Sequence, residues 1–476
     1  LQLPRIAIQL DSVPIAPLPP ERFRIVLGEG YDVVEEAIER ARILLEGRAI
    51  WHLNSTAAGG GVAELLHSLL AYARGAGVDV RWSVIGGNAE FFRITKGLHN
   101  RLHGIGAEQG ELEEADRREY MSVSEANAEA LAELVRPGDI VYLHDPQTAG
   151  MTERMVEAGA IVIWRCHIGA DNPNATVRDA WAFLRPLIEP AHQYVFSRAD
   201  YAWEGLDPAK VAVIHPSIDA FSPKNEELTP GTVASILDRI GLSLDSGDAA
   251  VFRRLDGSVA RVDRRALIVQ DEPLPGDARA LTQVSRWDRL KDPVGVLEGF
   301  AEHVDSPSAH LLLVGPIADG VADDPEGAEV YRDVVAAREA LGEGVRRRVH
   351  LVSLPMDDVA ENAAMVNAIQ RRSMVVAQKS LAEGFGLTAT EAMWKSKPVI
   401  AGAVGGLQEQ IVDGVTGRLI EDPADLDAFG LAAAELLGDR SLAELMGAAG
   451  HERVREKYLG TRHLIAYVDL LSDMLA

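Results

Sequence analysis

The sequence predicts an α/β protein built from two Rossmann-like domains. Short apolar runs alternate with helical patterns from residue 49 onward, the same alternation restarts after residue 280, and glycine turns follow several of the runs. Alternation of this kind means βαβ units and parallel sheets. Residues 1–22 carry Pro4, Pro14, Pro17, Pro19 and Pro20 and read as an extended arm that packs on the protein or mediates assembly, a homodimer being one form of the latter. A helix is expected over Tyr31–Glu46. Strands follow at Ile50–Leu53, Val78–Ile85, Ile140–Leu143, Ala160–Trp164, Tyr194–Phe196 and Val211–Ile214. Pro216–Gly231 reads as a linker, and Thr232–Ile240 as the helix opening the second domain. Residues 243–278 suggest a hairpin insertion from the glycine-punctuated stretches Asp248–Asp256 and Ser258–Asp263. The second set of strands is Leu281–Val284, His310–Val314, Val349–Val352, Met374–Ala377 and Pro398–Ala401, and the last helical stretch runs from His451 to Met474. The expected boundaries are therefore 1–48 for the arm and first helix, 49–220 and 221–455 for the two domains, and 456–476 for a returning helix. The two domains are expected to face each other across a substrate cleft.

Composition narrows the function. With 476 residues, 47% hydrophobic and 25% charged, the chain has the make-up of a globular protein with ample core. Its 72 acidic residues against 47 basic ones leave a net charge of −25, which argues against nucleic acid or an anionic membrane as the main partner. An anionic substrate would need local cations. The single cysteine, Cys166, excludes an intramolecular disulfide framework and points to a reducing cytoplasm. No secretion signal and no apolar run long enough to span a bilayer is expected.

The stretch richest in chemistry is Lys379-Ser-Leu-Ala-Glu383-Gly-Phe-Gly-Leu-Thr-Ala-Thr-Glu391. Gly384 and Gly386 free the backbone to turn, and Thr388 is a plausible cap for a helix carrying Glu391. Strand, turn and helix start make an anion site, because first-turn amides lack intrahelical partners and the macrodipole adds positive charge; a phosphate would sit on Gly386, Leu387 and Thr388. Glu383 and Glu391 would flank it. A second cluster, Ser285-Arg286-Trp-Asp-Arg-Leu-Lys291, places two cations at the end of a strand, where open α/β sheets bind ligands. Gly59-Gly60-Gly61 follows the first domain strand and offers close backbone approach to a diphosphate or an acceptor sugar, or simply a tight turn. His144, Asp145 and His167 each follow an apolar strand. Cys166 reads as buried and inert.

Arg286 and Lys291, followed by Glu383, seven residues and Glu391, resemble the donor-site signature of retaining GT-B glycosyltransferases of the family-4 type. Asn54-Ser-Thr-Ala-Ala-Gly59-Gly60-Gly61, His144-Asp145-Pro-Gln, Trp164-Arg-Cys-His167 and Pro216-Ser-Ile-Asp219 together resemble the trehalose glycosyltransferring synthases, over most of residues 48–475. The resemblance implies a GT-B fold and transfer of glucose from ADP- or UDP-glucose to free glucose. It implies that Arg286 and Lys291 hold the diphosphate, Glu383 the donor sugar hydroxyls, Glu391 the ribose, and that amides from Phe385 to Thr388 take sugar hydroxyls and the distal phosphate. Ser285, Gly60, Gly61, Gly384, Gly386 and Leu387 join the donor site. His167 would hydrogen-bond the donor sugar near its primary hydroxyl, while Asp145, with His144 and Asn54, would bind the acceptor. No cofactor is required; magnesium is compatible, but no metal motif stands out, since Asp425 and Asp427 fall in a helical pattern far from the cluster.

Alternatives remain at this stage. Two carboxylates about 5 to 10 Å apart could serve a glycosidase, but converging cations suit a diphosphate leaving group better. A trehalose phosphorylase, a retaining transferase with another acceptor, and a non-catalytic sugar-nucleotide sensor share parts of the pattern, and Gly169-Ala-Asp171-Asn172 departs from the synthases.

Overall fold

β-Branched and aliphatic runs bounded by glycines and polar turns form the strands, and both faces of each sheet are apolar enough to take helices. A computed structural model describes residues 8–57, 60–106, 112–245, 247–317 and 325–475. The described residues fall into two compact units, one reaching to Ser217 and resuming at Gly460, the other spanning Ile218–Leu459.

In the first unit the strands are β1 (Asp11–Ser12), β2 (Ile50–Asn54), β3 (Val80–Val84), β4 (Ile140–His144), β5 (Ile161–Cys166), β6 (Gln193–Phe196) and β7 (Val211–Val213). They form one sheet in the order β1-β3-β2-β4-β5-β6-β7, parallel except for β1, which pairs antiparallel with β3. Asp11 and Ser12 of the proline-rich arm thus pack on this unit as an edge strand. One face buries Trp51, Leu53, Val141, Leu143 and Trp164; the other buries Ile50, Ile140, Tyr142 and Ile163. The helix Gly460–Leu475 contributes Tyr467 and Leu471 to that second face.

The second unit contains a small antiparallel pair, β8 (Val251–Arg253) with β9 (Val259–Arg261), and a sheet of β10 (Leu267–Val269), β11 (Arg279–Val284), β12 (Ala309–Pro316), β13 (Val349–Leu354), β14 (Val375–Gln378), β15 (Val399–Gly402) and β16 (Gly417–Ile420). Its order is β10-β13-β12-β11-β14-β15-β16, with β10 antiparallel. In both sheets the first parallel strand lies centrally and its successors leave on opposite sides. The order therefore reverses between β2 and β4 in one unit and between β11 and β14 in the other, and ligands bind at the carboxyl ends beside such reversals.

Several expectations need correction. The helix opening the second unit starts at Pro230, not Thr232, because Thr229 caps it by accepting from the Thr232 amide and Pro230 is preorganised at the first position. The chain passes between units at 217/218 and 459/460 rather than at 220/221 and 455/456. At that point the Ile218 amide donates to the Tyr458 carbonyl at 2.9 Å and Ile218 bridges Leu459. The same bridge splits the last helical stretch into Arg440–Lys457 and Gly460–Leu475. Residues 243–278 contain the hairpin β8–β9, and in addition supply β10 to the main sheet. Thr388 is not a cap: the helix Leu387–Trp394 is capped by Gly386 at φ 84°, and Thr388 lies inside it. Among the described residues no helix is long and apolar enough to cross a membrane.

The inserted segment is anchored by charge. Arg338, 1% exposed, donates to Asp271 Oδ1 at 2.7 Å just after β10, and Arg346 donates to Oδ2 at 3.1 Å. Removing Asp271 leaves the buried Arg338 only the half-exposed Glu339, 2.9 Å away, as a carboxylate partner, and a buried charge with poorer compensation is destabilising. Asp271→Ala should therefore destabilise the protein by roughly 2 to 4 kcal/mol in urea unfolding; an unchanged midpoint would show that the insertion is not tied down there.

Candidate active site

In the second unit the reversal point is closed by two crossed ion pairs. Lys291 ends a 3-10 turn after β11, and its Nζ meets Glu383 Oε2 at 2.5 Å; the next residue, Asp292, receives the wholly buried Lys379. Gln378 Nε2 and Ser380 Oγ also donate to Glu383 Oε2, each at 3.1 Å. The Leu381 amide donates to the Leu290 carbonyl at 2.8 Å, so backbone and charge both bind the loop after β11 to the loop after β14. Asp292 sits in the left-handed region at φ 47° and caps the helix Pro293–His303 through the Gly295 amide. Burial alone would raise the Glu383 pKa, yet Lys291 and the hydrogen bonds from Lys291, Gln378 and Ser380 outweigh it and hold the carboxyl below its ordinary value.

The structure separates the other expected donor residues from this clasp to different degrees. The Arg286 side chain is 65% exposed and donates to Asp288 at 3.0 Å. Ser285 closes the end of β11 through its amide to the Val314 carbonyl. Leu387 and Thr388 occupy the first two helical positions after Gly386, whose amides lack intrahelical partners. Glu391 lies further along that helix, 5% exposed, with Lys224 Nζ 3.6 Å from its Oε1. Gln410 clamps the turn, its amide nitrogen donating to the Phe385 carbonyl and its oxygen accepting from Thr390 at 2.5 Å. Gly406 donates to the Gly384 carbonyl at 2.8 Å. A Cβ on Gly405 would stand 1.9 Å from the Glu383 carbonyl oxygen, so the Val404–Leu407 turn also shapes the Glu383 loop.

In the first unit β2, β4 and β5 gather a buried polar chain. His52 Nδ1 lies 3.0 Å from His144 Nε2, and His144 Nδ1 lies 3.1 Å from His167 Nε2. Arg165, with no exposed surface, donates to His167 Nε2 at 3.2 Å, to His463 Nε2 at 3.1 Å, to the Tyr467 hydroxyl at 2.5 Å and to the Ile214 carbonyl at 3.2 Å. Asp145 adopts φ 63°, a strained conformation for a residue with a side chain, and accepts from the His167 amide at 2.7 Å. Desolvation pushes its pKa up to about 7 against the opposing His167 amide and Arg165. Cys166 is buried, its thiol raised by desolvation and by Asp145. Asn54 accepts from Trp82 Nε1 at 2.8 Å and donates to the Thr56 carbonyl at 2.6 Å, so its amide braces the turn. Gly60, at φ 86°, caps the helix that Gly61 begins; Gly59 lies outside the described residues.

Sequence reasoning missed Arg165, His52, His463 and Tyr467 in this chain, and Lys379, Asp292, Gln378, Ser380 and Gln410 around Glu383. Polar residues at alternate positions of apolar strands, Tyr142 with His144 and Arg165 with His167, were the available signal. Of the acidic pair expected in a helical pattern, Asp425 caps the helix Leu426–Gly438, and Asp427 pairs with His303 at 2.9 Å on the surface.

Two largely parallel sheets, each reversing its strand order beside the first parallel strand and covered by helices, have the architecture of the GT-B glycosyltransferase fold. The same fold occurs in an α,α-trehalose-phosphate synthase (UDP-forming) from Burkholderia xenovorans in complex with glucose-6-phosphate, with a TM-score of 0.67 at 14% identity over 90% of this chain and 100% of that one. It also occurs in Anabaena Alr3699/HepE in complex with UDP and glucose, with a TM-score of 0.60 at 14% identity over the same shares of each chain. Residues 52–203 match the family described as trehalose synthase, N-terminal domain, and residues 265–453 match glycosyl transferases group 1. Trehalose synthase from Thermococcus litoralis is 36% identical over 95% of this chain and 96% of its own, and that from Rubrobacter xylanophilus is 35% identical over 95% of each. A trehalose phosphorylase from Pleurotus sajor-caju is 28% identical over 86% of this chain but 55% of its own. The chain belongs to the trehalose synthase family and is a hexosyltransferase.

Two outcomes follow from this geometry. Gly405→Ala meets both the Glu383 carbonyl and a positive φ of 51°, whereas Gly257→Ala meets the same kind of strain at φ 86° with nothing within 4 Å. Gly257→Ala should cost about 1 to 2 kcal/mol and Gly405→Ala distinctly more; equal costs in urea unfolding would remove the steric argument. The second outcome concerns acid. Burial, reinforced by Arg165, holds His52 down to about 3 and His144, His167 and His463 well below their ordinary value. Below about pH 6.5 the unfolded chain takes up protons that the folded chain refuses, so their stabilisation is complete above that pH and lost as pH falls toward 3. Asp145, raised to about 7, works in the opposite direction between its unfolded and folded values, but as one group against four. Unfolding free energy should fall by on the order of 1 kcal/mol or more per pH unit between 6.5 and 5. A flat profile would contradict the neutral buried chain.

Proposed function

We propose that the chain is a retaining, nucleotide-sugar-dependent glucosyltransferase that moves glucose from ADP- or UDP-glucose to the anomeric hydroxyl of free glucose and so forms trehalose. The observation that carries this reading is the 36% identity to trehalose synthases that runs over 95% of this chain and 96% of theirs. The phosphorylase reading is weaker on the same measure, since this chain spans only 55% of that relative.

The donor site supports the reading physically. When the bond from the sugar C1 to the phosphate oxygen breaks, negative charge grows on the diphosphate. Lys291, Arg286 and the first-turn amides of Leu387 and Thr388 would meet that charge more strongly in the transition state than in the ground state. Glu383, holding Lys291 in place, would take sugar hydroxyls, and Glu391 the ribose. The new bond forms between C1 and the acceptor oxygen on the same face, and the acceptor proton passes to the departing phosphate, so configuration is retained. Asp145 serves the acceptor in this scheme, while His144, expected beside it, has both ring nitrogens engaged by His52 and His167.

Incubation with radiolabelled ADP-glucose or UDP-glucose and glucose, alongside trehalose with inorganic phosphate, tests the reading by its product. Labelled trehalose with release of nucleoside diphosphate is expected; phosphorolysis alone would replace it with the phosphorylase reading, and absence of turnover with nucleotide bound would favour a sensor. Lys291→Ala should lower transfer by about 10²–10³-fold with the fold intact, as loss of one preorganised electrostatic contact does. Near-normal turnover in that variant would remove Lys291 from the leaving-group site.

A further inference from the structure

Arg165 is a cation without exposed surface and, among the described residues, without a carboxylate at ion-pair distance. It spends four N–H groups on neutral acceptors. A guanidinium has donors only, so each ring nitrogen facing it must present a lone pair. His463 Nε2 is one such nitrogen, which leaves the His463 hydrogen on Nδ1, opposite Ser217 Oγ at 3.1 Å. His167 Nε2 is the other, which leaves the His167 hydrogen on Nδ1. His144 Nδ1 faces the same lone pair at 3.1 Å and must therefore carry a hydrogen, and its Nε2 in turn accepts from His52 Nδ1 at 3.0 Å. One buried cation thus sets the tautomers of four histidines.

We propose that Arg165 fixes His167 as the Nδ1–H tautomer, so that His167 serves the transfer reaction as a hydrogen-bond donor to a sugar oxygen and never as a base. This rests on the reading of His167 as a sugar-contacting residue. Its Nδ1 has no hydrogen-bond partner among the described residues, the residue keeps 8% of its surface, and its backbone amide is tied to Asp145. The Nε2 lone pair, which a general base would need, is occupied by Arg165 and His144. Arg165 and His144 are positioning residues: they act on sugar only through the hydrogen they place on His167.

The tautomer is read without any sugar. Long-range ¹H–¹⁵N correlations on the full chain labelled with ¹⁵N-histidine, assigned with His167→Gln and His144→Gln, should show His167 and His144 carrying hydrogen on Nδ1. Arg165→Met should give His167 a mixture of tautomers. Hydrogen on Nε2 of His167 in the unaltered protein overturns the proposal, and so does a folded Arg165→Met variant that keeps His167 wholly Nδ1–H. If Arg165→Met does not fold, the unaltered protein decides by itself. Transfer assays add the sugar: an Asn amide nitrogen stands near Nδ1 and a Gln amide nitrogen near Nε2. His167→Asn should thus stay within about 10-fold of the unaltered rate while His167→Gln loses about 10²-fold or more. The reverse order counts against the donor role. Failure of the transferase reading would leave the tautomer result standing, and a wrong tautomer would leave transfer standing, so the two are told apart.

Discussion

A charge leaves water at little cost only when an opposite charge or several hydrogen bonds wait for it, and the loop carrying Glu383 is built on that constraint. Lys379 is wholly buried beneath it and can remain so because Asp292 turns back at a positive φ to receive it. That turn places Lys291, the preceding residue, against Glu383. The clasp joins the two strands where the sheet order reverses, so Lys291, the Glu383 carboxylate and the loop leading to the helix Leu387–Trp394 are set by one network. Gln410 and Gly405 press the glycine turn into shape from the other side.

Much of the fold was legible in the sequence because period and composition agreed. Every strand expected between Ile50 and Ala401 exists, shifted by a few residues, since runs such as Ile140–Leu143 and His310–Val314 are too short and too apolar for anything but buried parallel strands. Asp11–Ser12 and Leu267–Val269 escaped notice because edge strands of two or three residues carry no period. Gly417–Ile420 begins with a glycine and holds an arginine, and its strand character comes from pairing with β15 rather than from its own residues. The cap assigned to Thr388 failed because Gly386 reaches a left-handed conformation that a side chain resists, which ends the turn two residues sooner.

At the site, the residues that face one another across loops were harder to see than those that follow one another along them. Lys291 and Glu383 were legible from the ends of their strands; Lys379 and Asp292 were passed over because each reads locally as an ordinary surface charge. The histidine chain was half visible. His144 and His167 stood out singly, but the chain continues from His167 through Arg165 to His463, 298 residues beyond Arg165 in sequence, and no local pattern announces such a contact.

The discontinuity of the first unit bears on how the protein is made. His463 and Tyr467, which receive two of the hydrogen bonds of Arg165, belong to a helix that a ribosome delivers only after the whole of the second unit. Until then the Arg165 guanidinium of the nascent first unit lacks two of its acceptors, and Tyr142 lacks its ring contact with Tyr467. The first unit can collapse during synthesis but cannot finish, whereas the second, continuous from Ile218 to Leu459, can. Order of completion thus runs against order of translation, and the helix Gly460–Leu475 acts as the last fastening to close.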